Sequence, residues 1–302
     1  MSKSYISDAL GLYLKARSIT FKKLAHAIFT TFGFCALLAS CGSNIDPVTG
    51  ITADGLRYTG SVGTVTLHLT GDALTASGFH AYANGTECTK DNSTSETSRV
   101  ANCIITIPTT LKVDVRVTNS SGDQIYTTNF TVPAPQVTFV TTMGTFVLEL
   151  NPEKAPITVN NFLSYVNKSP SFYENTIFHR VIRDFVVQGG GFTAGMTAVT
   201  GQGSAITLES NNGLSNDIGT VAMARTSDPN SATSQFYINV GNNTSLNYDQ
   251  TKGTANGYAV FGKVISGMDV IDNISVWPTT TVSGNANVPV TDITVTSSSQ
   301  TQ

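Results

Sequence analysis

The chain has 302 residues, enough for about two domains of ordinary size. Only 12% of them are charged, the formal net charge is −3, and no basic block lies beyond the N-terminus, which excludes nucleic acid as the main partner. Abundant Val, Thr, Ile, Gly, Ser and Asn with few Glu and Lys fit a mainly β, exported protein.

Lys15, Arg17, Lys22 and Lys23 precede a short apolar run, Leu24 to Ala39, too short to span a bilayer comfortably. The run ends in Leu38-Ala39-Ser40-Cys41-Gly42. Small residues before a Cys resemble the lipobox of bacterial lipoproteins, which implies a signal peptide over 1–40 and a lipid on Cys41. The alternatives are an ordinary cleaved signal, or a short anchor helix with an incidental Cys. Cleavage before Cys41 removes five basic groups and one acid and leaves 12 against 19, a balance of −7. The expected location is the bacterial cell envelope on the periplasmic side, with the outer membrane favoured because Gly42-Ser43 lacks an Asp. Cys35 is lost with the signal, so Cys88 and Cys103 remain as one pair for a disulfide in an oxidising compartment. Two Cys with no nearby His do not make a metal site.

Residues 41–55 are Gly, Ser, Asp, Pro and Thr with little apolar content, and read as a flexible tether. Over 56–132 apolar residues alternate with polar ones: Val65, Leu67, Leu69, then Leu111, Val113, Val115, Val117. A period of two means half-buried strands, and several in so few residues predict a small Ig-like β-sandwich. The turn Ser120-Ser121-Gly122-Asp123 leads into a return strand ending at Val132. Pro133-Ala134-Pro135 is a stiff linker over 133–135 and the expected domain boundary.

A second domain is expected over 136–296. It opens with a hairpin: Val137, Phe139 and Thr141, a turn at Met143-Gly144, then Phe146, Leu148 and Leu150. Val159, Phe162, Leu163 and Val166 recur at helical spacing, and Lys168-Ser169-Pro170 ends that helix. Phe178 to Phe192 is apolar, β-branched and aromatic, and reads as a buried strand ending in glycines. Arg180 and Gln188 interrupt it. An unpaired buried charge is very costly, so Arg180 is either paired inside or faces a cleft. Further strands are expected at Gly219–Arg225, Ser234–Val240, Tyr258–Val264 and Val288–Val295, with a loop over 241–257, a short helix at Met268–Ile274 and a disordered tail over 297–302.

The glycines at 189 and 191 formally match a dinucleotide fingerprint, but no helix pattern follows and no βαβ repeat surrounds them. No Gly-x-Ser-x-Gly elbow is present, and His179 is the single His after the linker, so a serine hydrolase or a zinc site is poorly motivated.

Phe178-His179-Arg180-Val181-Ile182 with Phe185 and Gln188-Gly189-Gly190 resembles the signature of cyclophilin-type peptidyl-prolyl isomerases. So do Met223-Ala224, Ser234-Gln235-Phe236-Tyr237-Ile238, and Val260-Phe261-Gly262-Lys263-Val264 with Gly267-Met268. The similarity runs from about Gln136 to Trp277 and looks most like the periplasmic bacterial branch. It implies a closed antiparallel eight-stranded β-barrel with two helices and a substrate groove on its outer face. It also implies prolyl isomerase activity without cofactor or metal. Carried over by position, Arg180 is the catalytic Arg, Gln188 orients the substrate backbone, and Phe185, Val186, Tyr237 and Leu246 line the proline pocket. Ala224, Arg225 and Gln235 border the groove, and Tyr258 stands where many relatives carry a His. The departures are Val186 for Met, Tyr237 for Phe, Arg183-Asp184 for Pro-Gly, and Ser245 where cyclosporin-sensitive relatives carry Trp. The expected partners are proline-containing polypeptides of the envelope and the membrane, with the protein a monomer. A binding or chaperone module that holds proline segments without turnover is the rival reading, and a purely structural envelope protein a third.

Overall fold

A computed structural model describes residues 50–54, 63–70, 79–90, 100–107, 111–253 and 255–302, of which 50–54, 63–70, 90 and 100–107 are described by backbone alone. The segment read as a signal, Cys41 and the side chain of Cys103 lie outside the described residues.

Among the described residues before the linker lie two four-stranded antiparallel sheets. One has the order Gly50–Asp54, Gly63–Thr70, Val100–Ile107, Thr89–Lys90, and the other Thr86–Glu87, His80–Ala83, Lys112–Thr118, Gln124–Thr131. In the second sheet Val113, Val115 and Val117 are buried with Ala81 and Ala83, while Lys112, Asp114 and Arg116 point to water. This is the alternation read from the sequence. Asn119 closes the 120–123 turn by accepting the N–H groups of Ser121 and Asp123 at 3.0 and 2.9 Å. Cys88 is buried and disulfide-bonded, and the backbone pairs Lys90 with Cys103. The strand Gly50–Asp54 corrects the tether, which was expected to run to 55. Ile51 and Ala53 are too short an alternation to stand out, and the strand is held by backbone pairing with Gly63–Thr70.

After the linker eight strands make the main sheet, with the two-residue strand Thr197–Ala198 paired to one of them and a small separate hairpin beside it. The eight are β1 Gln136–Thr141, β2 Gly144–Leu150, β3 Thr176–Ile182, β4 Val186–Thr193, β5 Thr220–Met223, β6 Phe236–Asn239, β7 Val260–Ser266 and β8 Val295–Gln300. Helices α1 Pro156–Val166 and α2 Met268–Ser275 complete the domain. The strand order is β3-β4-β6-β5-β7-β2-β1-β8, antiparallel throughout. The two ends meet: Asn175 donates to the Val295 carbonyl at 2.8 Å and Phe178 to that of Ile293 at 3.0 Å, which nearly closes the sheet into a barrel.

Inward residues fill the barrel. Phe139 stacks on its cross-strand partner Phe146 with centroids 5.1 Å apart, and Phe162 from α1 meets Phe236 edge-on at 5.4 Å. Burying each such ring contributes roughly 2–3 kcal/mol. The apolar face of α1 enters this core as its spacing predicts. Its first N–H groups, on Ile157 and Thr158, are satisfied by the Glu209 carboxylate at 3.1 and 2.8 Å.

The structure corrects several boundaries. The β1–β2 turn is Thr142-Met143, one residue early, because the Thr141 hydroxyl takes the Met143 N–H and donates to the Gly144 carbonyl. The single strand read over 178–192 is a hairpin, β3 and β4, folded at Arg183-Asp184. The strand read at Val288–Val295 divides into a small hairpin, Thr279–Val282 with Asn285–Pro289, and β8. The tail read as disordered is most of β8. It lacks apolar side chains but pairs with β1, and it is fastened by a Ser171–Ser298 bond at 2.6 Å and by Asn167 donating to Gln300 at 2.9 Å.

Candidate active site

Strand alternation decides which residues reach the outer face of the barrel. Val187, Val221, Met223, Phe236, Ile238 and Phe261 face the core, so Val186, Gln188, Ala222, Tyr237 and Val260 face outward. On β3 a regular alternation would fail. Phe178 and Val181 are both in the core, three residues apart, which an unbroken strand cannot achieve. A β-bulge resolves it: Phe178 pairs with Gly189 and Arg180 with Gln188, so His179 is the extra residue. The bulge turns Arg180 to the outer face beside Gln188. The charge that looked costly in a buried strand therefore meets a cleft.

The cleft is a cavity of about 340 Å³ lined by Arg180, Phe185, Val186, Gln188, Ala224, Arg225, Tyr237, Leu246 and Tyr258. These are nine of the ten groove residues named from the sequence. Val186 and Tyr237 belong with Ala222 and Val260 to one buried apolar cluster, and Phe185, Leu214, Ala224, Leu246 and Tyr258 pack against it. The tenth, Gln235, is not part of the wall. Its side-chain oxygen accepts from Gln188 Nε2 at 3.0 Å, and Gln188 Oε1 accepts from Arg180 Nη1 at 3.3 Å. This chain of amides orients the guanidinium, whose Cζ lies 5.7 Å from the Phe185 ring centroid.

Arg225 is held differently. Its Nε and Nη2 donate to the Gly257 carbonyl at 3.1 and 2.9 Å, its Nη1 donates to that of Thr226 at 2.8 Å, and its Cζ stacks 4.5 Å from the Tyr258 ring. Tyr258 in turn meets Tyr237 edge-on at 5.9 Å.

Tyr237 replaces a Phe, and its hydroxyl needs a partner once buried. It donates to Asn216 Oδ1 at 2.8 Å, and burial pushes its pKa far up, so it stays a neutral donor. Sequence reasoning missed Asn216 and its neighbours. Asn239 donates to the same oxygen at 3.3 Å, and Asn243 donates to Asn239 Oδ1 at 2.7 Å and to the Phe185 carbonyl at 2.8 Å. The Tyr237 substitution was the signal, because a buried hydroxyl demands a nearby acceptor. His179 is buried against Phe192, with ring centroids 4.7 Å apart. Burial lowers its pKa to about 4. It is neutral at pH 7 and does not line the cavity.

The site thus places an oriented guanidinium beside an apolar cup. It holds no nucleophile and no paired acid and base. Such a site can grip a small ring and stabilise charge beside it.

Residues 136–300 match the family described as cyclophilin type peptidyl-prolyl cis-trans isomerase/CLD. A peptidyl-prolyl cis-trans isomerase of Acinetobacter baylyi is 52% identical over 149 residues, covering 49% of this chain and 76% of that protein. One of Streptomyces antibioticus is 50% identical, covering 51% of this chain and 92% of that one. Peptidyl-prolyl cis-trans isomerase B of Escherichia coli is 47% identical, covering 53% and 95%.

Proposed function

The chain belongs to the cyclophilin-type peptidyl-prolyl cis-trans isomerase family, and from that premise we propose that it isomerises X–Pro bonds in exported proteins, with Arg180 as the catalytic group. The observation that carries this reading is the side-by-side placement of Arg180 and Gln188 over the cup formed by Phe185, Val186, Tyr237 and Leu246.

An X–Pro bond turns slowly because resonance gives its C–N bond double-bond character, with a barrier of about 18–20 kcal/mol. No bond breaks during the turn, so the chain's own side chains suffice. In the twisted transition state conjugation is lost and the prolyl nitrogen regains a lone pair. A guanidinium at that nitrogen binds the twisted form better than the planar one. Arg suits the task because it stays charged and its donors sit in a fixed fork. The apolar cup grips the pyrrolidine ring while the acyl side rotates, and it excludes water, which strengthens the Arg interaction. Gln188 holds the substrate backbone, and Gln235 holds Gln188.

The test is a proline-limited refolding assay with Arg180→Ala beside the wild type. Loss of a positioned donor to the transition state costs on the order of 100-fold or more in kcat. Equal rates in both proteins, with peptide still bound, would sink the Arg mechanism and favour the binding-module reading.

The setting is part of the same proposal. The lipobox-like segment supports a lipid on Cys41 and a place on the periplasmic side of the envelope, with the two N-terminal sheets as a spacer or client-binding module. Cys41→Ser would then lose labelling by a palmitate analogue and leave the membrane fraction. Cys88 is assigned to Cys103, and a bridge closing a loop of that length contributes about 3 kcal/mol. Reduction should expose residues before the linker to protease while isomerase activity persists.

A further inference from the structure

Two arginines line the proline cavity, and no acid does. Arg180 sits beside Phe185 and Arg225 beside Tyr258. Arg180 is on β3 and Arg225 just beyond β5. Along the order β3-β4-β6-β5 that is three strand spacings, roughly 14 Å at the backbone. Among the described residues the ion pairs are His80–Glu87, Arg183–Asp184, Lys252–Asp249 and Lys263–Glu149, so neither groove arginine has a carboxylate partner. This concentration of positive charge stands in a protein whose net charge is −3. A cleft with apolar walls focuses such a field on whatever enters it. The Arg225 fork is already fixed by the Gly257 and Thr226 carbonyls, so its charge needs no ordering when an anion arrives.

We infer that this uncompensated pair makes the groove select X–Pro segments that carry a carboxylate next to the proline, with Arg225 as the residue that sets the preference. The inference rests on reading the cavity as the prolyl site. It adds a substrate class: acidic proline-containing segments over basic ones. Arg180 stabilises the turning bond whatever its neighbours. Arg225 stands at the other side of the cup and acts on the flanking side chain through charge.

The experiment measures kcat/KM on short peptides with Glu, Gln or Lys immediately before or immediately after the proline. At low salt the wild type should favour Glu over Lys by roughly three- to tenfold at one of the two positions. The preference should vanish near about 1 M salt, where charges are screened within a few ångströms. Arg225→Gln should shrink the Glu-to-Lys ratio by about threefold or more, and Arg225→Lys, which keeps the charge but loses the fork that fixes it, should fall between Arg225→Gln and the wild type. A ratio near one at both positions in the active wild type would overturn the inference while the isomerase reading stands. So would an Arg225→Gln ratio equal to wild type, or an Arg225→Lys ratio that collapses as Arg225→Gln does. Absence of turnover on every peptide would instead sink the prolyl reading of the cavity. Because each comparison is a ratio within one protein, a general loss of activity in a variant does not obscure it.

Discussion

Replacing Asn216 by Ala removes the acceptor beneath the apolar cup. Asn216 is fully buried, and its Oδ1 receives the Tyr237 hydroxyl at 2.8 Å and Asn239 Nδ2 at 3.3 Å. Its Nδ2 donates to Asn247 Oδ1 at 3.0 Å. Two of these partners keep another bond: Asn239 retains Thr220 Oγ1 at 2.9 Å, and Asn247 retains the Asn216 N–H at 2.7 Å. The Tyr237 hydroxyl is the group left alone. An orphaned buried donor costs about 1–3 kcal/mol, so Asn216→Ala should destabilise the barrel by about 2 kcal/mol. Tyr237→Phe removes donor and penalty together and should cost about 1 kcal/mol or less. In the Tyr237→Phe background Asn216→Ala should therefore cost about 1 kcal/mol less than it does alone, a coupling that a double-mutant cycle reads directly. The chain has a single Trp, Trp277, placed after α2, so its fluorescence follows unfolding of the barrel. With a urea slope of about 1–3 kcal/mol per molar, the single variant should lower the midpoint by about 1 M. On the proposed mechanism KM should rise more than kcat falls, since there Tyr237 holds the ring while Arg180 acts at the turning bond. Equal costs of Asn216→Ala in the two backgrounds would refute the hydroxyl–amide account.

Acid should weaken the fold through His179. Burial lowers its pKa from 6.5 to about 4, so as pH falls below about 6.5 the unfolded chain takes a proton that the native state refuses. This contribution to stability is full above about 6.5 and declines to its minimum near pH 4, by about 3 kcal/mol in all. His179→Gln should flatten the urea midpoint across that window, and an unchanged slope would refute the assignment. Gly241→Ala should lower kcat/KM by about tenfold, because a Cβ there overlaps the Asp184 carbonyl oxygen and displaces the turn that carries Phe185. A variant with normal kcat/KM would show that the turn tolerates the shift. Cyclosporin should inhibit weakly, since Ser245, exposed in the turn Thr244–Leu246, offers no ring to cover the ligand. Inhibition as tight as in Trp-containing relatives would contradict this.

The groove was legible through the resemblance to the family, and strand parity accounts only for its members on strands, Arg180, Val186, Gln188 and Tyr237, while Phe185, Ala224, Arg225, Leu246 and Tyr258 lie in turns and loops. Once Phe236 and Ile238 are core residues, Tyr237 must face outward, and the same parity delivers Val186 and Gln188. What periodicity could not show depends on partners distant in sequence. Asn216 reads as a loop residue, and its partners Tyr237 and Asn247 lie 21 and 31 residues on. The β8 strand was hidden for a related reason. Val295 to Gln300 carries mostly Ser and Thr, yet a closing strand needs only backbone pairing and a few polar fasteners such as Ser298. The bulge at His179 left no compositional mark either, although the incompatible parities of Phe178 and Val181 imply one.

The Arg183-Asp184 turn gathers these points into one. Relatives that carry Pro-Gly there gain a fixed φ at the first turn residue and free access to positive φ at the second. Here Asp184 takes the second position at φ 57°, a region Asp tolerates better than most residues but less easily than Gly. The local sequence is therefore a weaker turn former. Yet Phe185 is not left to the turn. Its N–H donates to the Ile182 carbonyl at 3.1 Å, and its own carbonyl receives the Val240 N–H at 3.0 Å and Asn243 Nδ2 at 2.8 Å. Asn243 also bonds Asn239, which shares the Asn216 oxygen with Tyr237. Phe185 and Tyr237, two walls of the cup, are thus tied through Asn216, Asn239 and Asn243. The register of the cup rests on that polar frame, and the turn sequence is free to vary where the frame is intact.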